Sequence, residues 1–441
     1  MRTSFNLAQL ADPTIKHAEE ILRACVHCGF CLATCPTYQL LGDERDSPRG
    51  RIYIIKDMLE NERPADAAAT RHIDRCLSCL SCMTTCPSSV NYMHLVDHAR
   101  EHIEETGLRP RHDRILRGLL ARLLVRPALM RWALIAGQVP AHMARFLPGR
   151  LGAMARLARR GAAAPSWADK PQTFPAEGPR KQRVAILAGC VQQVMAPDIN
   201  EAAIRLLTRL GCDVTVINGF GCCGALPHHM GRTQDATRLA KTNMEALARA
   251  EAAGGAFDTF VVTASGCGTT LKDYGHLLAD DDALARDGAR FSGIVGDITE
   301  LVAELGLPGG TAAPEDLRIA YHAACSLQHG QRVTNEPRAL LEEAGFNVLD
   351  VPESHLCCGS AGTYNILQPS LAAGLQARKA ANIERTAPDA VAAGNIGCLI
   401  QIDEAVDAPV VHIAQLLDWA SGGPRPTALP APGSGAAQSG A

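Results

Sequence analysis

The sequence predicts a multidomain protein of mixed α+β and α/β class, in which a helical N-terminal domain precedes two duplicated α/β units with parallel sheets. Three observations lead to this prediction. A motif of four cysteines occurs twice in the first 90 residues, a second cysteine pattern occurs twice after residue 183, and each copy of the second pattern alternates strand-like and helical segments. With 441 residues, 47% of them hydrophobic, the chain can fill several cores.

Composition and charge exclude several classes of protein. A net charge of −3 gives no bias toward nucleic acid, and no uninterrupted apolar run is long enough for a membrane-spanning helix. The opening residues, MRTSFNLAQL, lack the apolar stretch of a secretion signal. We therefore expect a cytoplasmic protein, either free or peripheral on the cytoplasmic face of the membrane. In that reducing compartment, 17 cysteines predict metal ligands or redox groups rather than disulfides.

The first motif, C-x2-C-x2-C-x3-C-P, has two copies: Cys25, Cys28, Cys31 and Cys35 before Pro36, and Cys76, Cys79, Cys82 and Cys86 before Pro87. In this spacing three thiolates hold one iron–sulfur cluster and the fourth reaches the cluster of the other copy. Structural zinc, the alternative, usually takes two separated pairs of ligands. We predict a ferredoxin-type domain over residues 1–108 with two [4Fe–4S] clusters, one held by Cys25, Cys28, Cys31 and Cys86 and the other by Cys76, Cys79, Cys82 and Cys35.

The segment between the two motifs, DERDSPRGRIYIIKDMLENE (43–62), predicts a turn at Ser47-Pro48 followed by a helix. Its apolar residues recur at helical spacing. Arg49 and Arg51 stand at the start of this helix. They either form an ordinary solvated face, or dock a partner and lower the cost of a reduced, more negative cluster.

Residues 109–182 predict an arginine-rich helical bridge and linker. Between 109 and 160 there are twelve arginines, no lysine and one acidic residue, Asp113, together with apolar runs such as ILRGLLARLLV (115–125). Such a segment packs two domains together, lies on an anionic membrane surface or binds an acidic partner subunit. Prolines are expected to divide it into short helices. These are Pro110, Pro127, Pro140 and Pro148.

The second cysteine pattern occupies the C-terminal half of the chain. In each copy a cysteine that ends an apolar run precedes a Cys-Cys-Gly (CCG) triplet, and a final cysteine closes the copy. The residues are Cys190, Cys222, Cys223 and Cys267 in the first copy, and Cys325, Cys357, Cys358 and Cys398 in the second. An internal duplication is the simplest explanation. We predict one CCG unit over 183–310 and another over 311–420.

Each copy alternates strands with helices, which predicts small α/β units. The predicted strands are 184–189, 213–217 and 259–265 in the first copy and 318–323, 347–351 and 398–403 in the second. The predicted helices are 198–210, 233–252, 336–345 and 370–384. Sites in parallel sheets lie at the carboxyl ends of the strands, so we expect the four thiols of each copy to converge on one edge.

Several other residues have two interpretations. Four histidines beside the CCG cysteines either bind metal or carry protons, or are hydrogen-bonded structural residues; they are His228, His229, His322 and His355. Cys212 is expected to fill core space as a small apolar residue. Residues 421–441, which include PRPTALPAPGSGAAQSGA (424–441), predict a disordered tail.

Taken together, these motifs resemble a known family. The two cysteine motifs, the two CCG units and the segments DSPRGRIY (46–53), SLQHGQR (326–332) and LCCGSAGTYNILQP (356–369) are similar to the iron–sulfur subunits of glycolate oxidase, over about residues 15–420. The resemblance implies a complex in which an FAD-binding subunit oxidises glycolate to glyoxylate. This chain would relay the electrons toward a quinone or another acceptor. It would hold no catalytic residue, in keeping with its lack of a G-x-G-x-x-G flavin fingerprint.

The resemblance leaves alternatives open. Iron–sulfur subunits of lactate-utilisation systems and of glycerol-3-phosphate dehydrogenase share the layout. The CCG units also resemble those of heterodisulfide reductase, which end in C-x-x-C, but Thr270 and Gln401 stand where the last cysteine would be. Each unit therefore holds a further four-thiol iron–sulfur site or serves as a structural docking unit. Two other classes are a thiol-redox enzyme that uses the CCG cysteines and a nonenzymatic iron–sulfur scaffold.

Overall fold

A computed structural model describes residues 1–106, 109–142 and 146–431. The chain forms two compact units, each built from several stretches of sequence. The first unit contains the described residues of 1–161, 222–240 and 355–375, and the second contains 162–221, 241–354 and 376–431. The two CCG triplets therefore belong to the unit that contains the N-terminal cysteine motifs.

The N-terminal part of the first unit is helical. Its α-helices are α1 Pro13–Ala24, α2 Phe30–Thr34, α3 Pro36–Leu41, α4 Pro48–Glu60, α5 Ala67–Asp74, α6 Ser81–Thr85, α7 Tyr92–Thr106, α8 Arg111–Leu123, α9 Pro127–Ala141 and α10 Gly149–Arg159. Short 3₁₀ turns cover Gln9–Ala11 and Glu44–Asp46. The core of this unit is formed by side chains from α1, α4, α5 and α7, including Leu22, Ile55, Ile73 and Leu95.

Helix α4 confirms the helix predicted after Ser47-Pro48. The Ser47 hydroxyl caps the helix by accepting a hydrogen bond from the Gly50 amide at 3.0 Å. Pro48 occupies the first turn, where its missing N–H is not needed. A Cβ at Gly50 would overlap the carbonyl oxygen of Glu44, so only glycine fits here. This close approach fixes the loop that precedes α4 against the start of the helix.

The arginine-rich bridge forms the three helices α8, α9 and α10. Pro110, Pro127 and Pro148 lie at or just before the helix starts, as predicted, whereas Pro140 lies in the last turn of α9 and does not divide it. Helix α9 packs closely on α10, since a Cβ at Gly137 would lie 2.8 Å from that of Ala158. No helix within the described ranges has the length and apolar content needed to span a bilayer.

The second unit contains two sheets with mostly parallel strands. The strands are β1 Gln172–Phe174, β2 Gln182–Ile186, β3 Cys212–Val216, β4 Thr259–Val262, β5 Val295–Asp297, β6 Arg318–His322, β7 Asn347–Leu349, β8 Ala390–Ala393 and β9 Val410–His412. The first sheet has the order β1-β3-β2-β4-β5 and the second β7-β6-β8-β9. Only β1 is antiparallel, and it pairs with β3 so that Thr173 lies opposite Thr215. The duplicated α/β architecture is confirmed.

The remaining helices follow the strands in chain order. They are α11 Gln192–Met195, α12 Asp198–Arg209, α13 Ala225–His228, α14 Thr233–Gly254, α15 Ser265–Leu271, α16 Tyr274–Leu277, α17 Ala285–Ile294, α18 Ile298–Leu305, α19 Glu336–Glu343, α20 Tyr364–Leu367, α21 Pro369–Glu384, α22 Ile396–Asp403 and α23 Ile413–Ala420. A 3₁₀ turn covers Trp167–Asp169 and a π-helical turn covers Ser326–Gln331.

One strand prediction was wrong. Residues 398–403, CLIQID, form most of helix α22. The strand beside β6 is instead β8, a fully buried run of four residues, three of them alanine. An apolar run of six residues fits a buried helix as well as a buried strand, because periodicity does not separate the two at this length. β1 also lies inside the segment expected to be a linker.

Both sheets of the second unit share one hydrophobic core, which includes Val184 and Val214 from the first sheet and Ile319 and Ala392 from the second. Cys212 is fully buried in this core, as expected of a packing residue. Leu429 is also buried there, so residues up to 431 pack even though the tail was predicted to be disordered from 421. Residues 432–441 of that predicted tail lie outside the described residues.

Candidate metal centres

The first cysteine loop borders a cavity of about 440 Å³. Four of the thiols that line it are Cys25, Cys28, Cys31 and Cys86. The loop can turn its thiols to one side because His27 and Gly29 adopt left-handed backbone angles, with φ of 57° and 86°. Helix α2 begins directly after this turn. The chain that supplies three of these thiols is therefore a tight loop, and the fourth thiol arrives from the other copy of the motif.

The second cysteine loop borders a cavity of about 320 Å³. The thiols that line it are Cys35, Cys76, Cys79 and Cys82. The same backbone turn recurs here in Ser78 and Leu80, with φ of 51° and 61°. Leu80 therefore adopts, in the position equivalent to Gly29, a conformation that costs a non-glycine residue about 1–2 kcal/mol. The cavities share wall residues Pro48, Cys82 and Tyr92, so they adjoin each other.

The residues fit an iron–sulfur cluster in each cavity. Burial raises the pKa of the Cys31 thiol to about 11 and that of the Cys82 thiol well above its ordinary value. Such thiols are protonated at neutral pH unless a cation compensates the thiolate charge. Bound metal supplies that charge and deprotonates the thiols outright. Four thiols around one cavity are the ligand set of a [4Fe–4S] cluster.

Arg51 lies inside the protein beside the second cavity, and its side chain is only 1% exposed. Its Nε donates to the carbonyl oxygen of His72 at 2.7 Å, and its Nη2 donates to Thr37 Oγ1 at 3.0 Å. Its Nη1 lies 4.0 Å from Cys35 Sγ. The solvated interpretation of Arg51 was therefore wrong. The guanidinium is a fixed buried positive charge next to one of the four thiols.

A buried carboxylate accompanies this arginine. Asp46 is fully buried, accepts a hydrogen bond from Arg75 Nη1 at 2.7 Å and pairs with His72 Nδ1 at 2.9 Å. Its carbonyl oxygen accepts the Thr37 hydroxyl at 2.7 Å. The polar groups around Cys35 are thus mutually satisfied, which is the condition for burying them.

The first CCG segment packs against helix α7. His228 Nε2 and His229 Nδ1 each lie 3.5 Å from a carboxylate oxygen of Asp97. Arg100 pairs with the same carboxylate at 3.1 Å and donates to the Cys76 carbonyl oxygen at 2.7 Å. Burial alone would raise the pKa of Asp97, but the two histidines and the arginine hold it well below its usual range. The histidine pair thus contacts a carboxylate.

The second CCG segment contacts the residue that precedes the second cysteine loop. The buried Tyr364 donates its hydroxyl to the carbonyl oxygen of Arg75 at 3.1 Å. Gly359 allows the segment to fold back tightly, since it has φ of 92° and a Cβ there would lie 2.5 Å from the Ala372 carbonyl oxygen. The second CCG segment thus meets the start of the second cysteine loop, whereas the first meets helix α7, whose Arg100 bonds to that loop.

The remaining CCG thiols lie in the second unit. Cys190 and Cys325 follow β2 and β6, and Cys267 and Cys398 lie in α15 and α22. The Ser265 and Ser326 hydroxyls are 2.7 Å apart, so the segments carrying Cys267 and Cys325 meet within this unit. The Asn395 amide donates to Cys398 Sγ at 3.4 Å. The four thiols of each copy are thus divided between the two units.

Other candidate residues have defined places, and some important residues were missed. His322 is buried at the end of β6, and His355 begins the segment of the second CCG triplet. Asp97 and Arg100 were not predicted as site residues. No local signal identifies them, because their partners come from segments more than 100 residues away or from the cysteine loop itself.

Two family models match the chain. A model of a 4Fe-4S dicluster domain matches residues 21–90, and a model of a cysteine-rich domain matches 184–272 and 319–403. A solved structure of a hypothetical protein from Helicobacter pylori is similar in fold, with a TM-score of 0.56 at 11% identity over 94% of this chain and 74% of that one. At that identity the similarity shows the fold alone. The match to the dicluster family identifies this chain as an iron–sulfur protein.

Named relatives agree with the motifs. The glycolate oxidase iron-sulfur subunit of Escherichia coli (strain K12) is 40% identical over 95% of this chain and 99% of its own length. The probable glycolate oxidase iron-sulfur subunit of Bacillus subtilis (strain 168) is 31% identical, over 96% and 99%. Lactate utilization protein A of Bacillus licheniformis is 27% identical over 54% of this chain and 99% of its own. The chain belongs to the family of glycolate oxidase iron–sulfur subunits and is a subunit of an oxidoreductase complex.

Proposed function

We propose that this chain carries electrons from an FAD-binding subunit that oxidises a 2-hydroxy acid, with glycolate as the first candidate, to a quinone or another acceptor. The observation that carries the proposal is the pair of adjoining cavities, one lined by Cys25, Cys28, Cys31, Cys82 and Cys86 and the other by Cys35, Cys76, Cys79 and Cys82. Adjacent redox centres exchange single electrons without any catalytic side chain between them. The names of the relatives in Escherichia coli and Bacillus subtilis support glycolate as the substrate of the complex.

The ligand assignment follows the cavity walls. We propose that Cys25, Cys28, Cys31 and Cys86 hold one [4Fe–4S] cluster and that Cys76, Cys79, Cys82 and Cys35 hold the other. What supports the exchange of Cys35 and Cys86 is that each lines the cavity beside the other copy of the motif. Zinc is disfavoured because a structural zinc site usually takes two separated pairs of cysteines rather than three in succession.

Bound clusters supply reversible one-electron chemistry. The chain's own residues hold them, limit access of water and set the local charge. Tyr92 and Pro48 close the shared wall, and Arg51 places a positive charge on one side of the second cavity. A buried positive charge favours the more negative, reduced state of a neighbouring redox group.

The CCG thiols have no assigned cofactor in this proposal. They are Cys190, Cys222, Cys223 and Cys267, and Cys325, Cys357, Cys358 and Cys398. The contacts of the CCG segments with helix α7 and with Arg75 support a structural role beside the second cysteine loop. A further cluster in these units would add iron beyond the eight atoms expected for two [4Fe–4S] groups.

The test is anaerobic purification of the complex, with iron, sulfide and flavin measured on the same sample. We expect about eight iron atoms per copy of this chain and a flavin that belongs to another subunit. Glycolate, lactate and glycerol 3-phosphate are then offered in turn, and cluster reduction is followed by EPR. Reduction by glycolate only in the presence of the flavin subunit is the expected result.

Three outcomes would contradict parts of the proposal. EPR-silent material after dithionite would exclude the clusters. Reduction by lactate alone would move the chain to the lactate-utilisation type, which the similarity to lactate utilization protein A makes the second candidate. Loss of activity on alkylation of CCG thiols, with both clusters intact, would favour a thiol-redox enzyme over an electron carrier.

A further inference from the structure

The three bridge helices expose an unusual number of large apolar side chains. Of thirteen exposed large hydrophobic residues in the described part of the chain, seven lie between 115 and 151. They are Ile115, Leu119, Leu129, Trp132, Ile135, Phe146 and Leu151. Ile115 and Trp132 are 71% and 70% exposed. Scattered exposed hydrophobic residues are common on soluble proteins, but a concentration of this kind marks an interaction surface.

The inner face of the bridge is already used for packing. Arg109 and Arg117 reach across to Asp74, at 2.9 and 2.8 Å, and Arg117 also pairs with Asp113 at 2.9 Å. Arg150 pairs with the same Asp113. These charges are largely buried and fix α8 against the rest of the first unit. Packing within the unit therefore accounts for the buried side of α8 and leaves its outer side unexplained.

The outer face combines apolar groups with positive charge. On α8, Ile115 and Leu119 are one helical turn apart, and exposed arginines flank them. Within the described part of the bridge, the exposed arginines are Arg111, Arg114, Arg122, Arg126, Arg156, Arg159 and Arg160. The bridge contains one acidic residue, Asp113, and it is buried. The described outer face of the bridge therefore carries positive charge and no exposed carboxylate.

We infer that this face of α8, α9 and α10 docks on an anionic lipid surface. Arginines interleaved with Leu, Ile, Trp and Phe are typical of helices that lie in the interface of a bilayer, where the apolar groups enter the acyl boundary and the guanidinium groups meet phosphates. Trp132 suits this position, because indole prefers the headgroup level. An acidic protein partner would meet the same arginines but would not need six exposed apolar side chains on three helices, with Phe146 between the last two.

The inference deepens the proposed function. It rests on that function only for the purpose of the docking, since a quinone dissolved in lipid is reached from a membrane surface. The docking itself depends on exposure and charge alone. Failure of lipid binding and failure of electron transfer are therefore separate results, since one is measured with vesicles and the other by cluster reduction.

The experiment is sedimentation of the cluster-loaded chain with vesicles of phosphatidylcholine containing phosphatidylglycerol, compared with pure phosphatidylcholine, at low and high salt. We expect binding to the anionic vesicles, weakened by salt and much weaker on the neutral ones. Trp132→Ser with Ile135→Ser should lower the binding constant at least tenfold, since two exposed apolar anchors are lost. Arg111→Gln, Arg122→Gln and Arg126→Gln together should lower it about a hundredfold at low salt, or about fivefold each.

Two matched controls isolate the surface. Leu7→Ser removes an apolar side chain that is 88% exposed elsewhere, and Arg286→Gln removes an exposed arginine of α17. Both should bind vesicles like the unaltered chain, and all variants should keep their iron content. No binding to anionic vesicles at low salt, or equal binding by the Trp132 and Leu7 variants, would overturn the inference. If vesicle binding is unchanged but the flavin subunit no longer co-purifies with the Trp132 variant, the face is a protein interface instead.

Discussion

The two cysteine loops share one motif but have different surroundings. In the first loop, Val26 and Phe30 are 65% and 62% exposed, whereas the equivalent residues of the second loop, Leu77 and Ser81, are 7% and 1% exposed. Cys28 is exposed and its counterpart Cys79 is buried. The spacing of the cysteines along the chain thus determines which thiols can meet, and packing by distant segments determines how exposed each site is to solvent. The first cysteine loop is therefore more exposed to solvent than the second.

The largest expected effect distinguishes the two loops by cysteine replacement. Cys28→Ser and Cys79→Ser should each remove about one cluster's iron, or about four atoms. Cys79→Ser should also lower the thermal midpoint by about 5 °C relative to Cys28→Ser, because a buried hydroxyl without its metal costs about 1–3 kcal/mol. Iron analysis and thermal circular dichroism measure both effects. Equal thermal midpoints in the two variants would show that the second loop is not destabilised more than the first by the loss of a thiol.

The next effect concerns access of small reagents. A ferrous chelator added to the reduced protein should remove iron in two phases, and the faster phase should be at least about tenfold quicker, because exposed sites exchange without local unfolding. EPR of samples quenched between the phases identifies which cluster is lost. In the Cys28→Ser variant the fast phase should be missing. A single phase in the unaltered protein would contradict the difference in exposure.

A third effect is electrostatic and should change mainly the reduction potential of the second cluster. Arg51→Met removes the buried guanidinium that lies 4.0 Å from Cys35 Sγ. The reduction potential of the second cluster should fall by on the order of 100 mV, while that of the first changes much less. Redox titration followed by EPR measures the potentials.

Arg51→Lys is the matched control, because it keeps the charge while losing part of the hydrogen bonding. The reduction potential of the second cluster in Arg51→Lys should lie closer to that of the unaltered protein than to that of Arg51→Met. Equal shifts in the two variants would assign the effect to altered packing rather than to charge.

The smallest effect concerns the backbone. Leu80 takes the left-handed conformation that Gly29 has in the first loop. Leu80→Gly and Leu80→Ala both lose the side chain, but the glycine variant should be more stable by about 1 kcal/mol, since alanine keeps the strain. The control is Ala33→Gly in helix α2. There the glycine variant should be the less stable one, because alanine is the better helix former. Denaturant unfolding of the cluster-loaded chains measures the free energy of unfolding of each variant. If Leu80→Ala is more stable than Leu80→Gly, the backbone at position 80 is not strained.

The sequence was informative where the structure depends on local spacing. The paired cysteine motifs, helix α4 and the strand–helix alternation of the CCG units all follow from neighbouring residues. It was uninformative where contacts are distant: nothing near Arg51 predicts its burial, and nothing near Tyr364 predicts that it reaches Arg75. The error at 398–403 has a third cause, since a short apolar run suits either kind of buried element.

The first unit is completed by segments 222–240 and 355–375, which are synthesised long after the eight N-terminal thiols. During translation those thiols leave the ribosome first, and the segments that pack on helix α7 and on Arg75 follow only after another 140 to 290 residues, at about 5–20 residues per second. The cysteine-bearing part is therefore not an independent module that can be cut out or exchanged between proteins. Its biogenesis depends on nearly the full length of the chain.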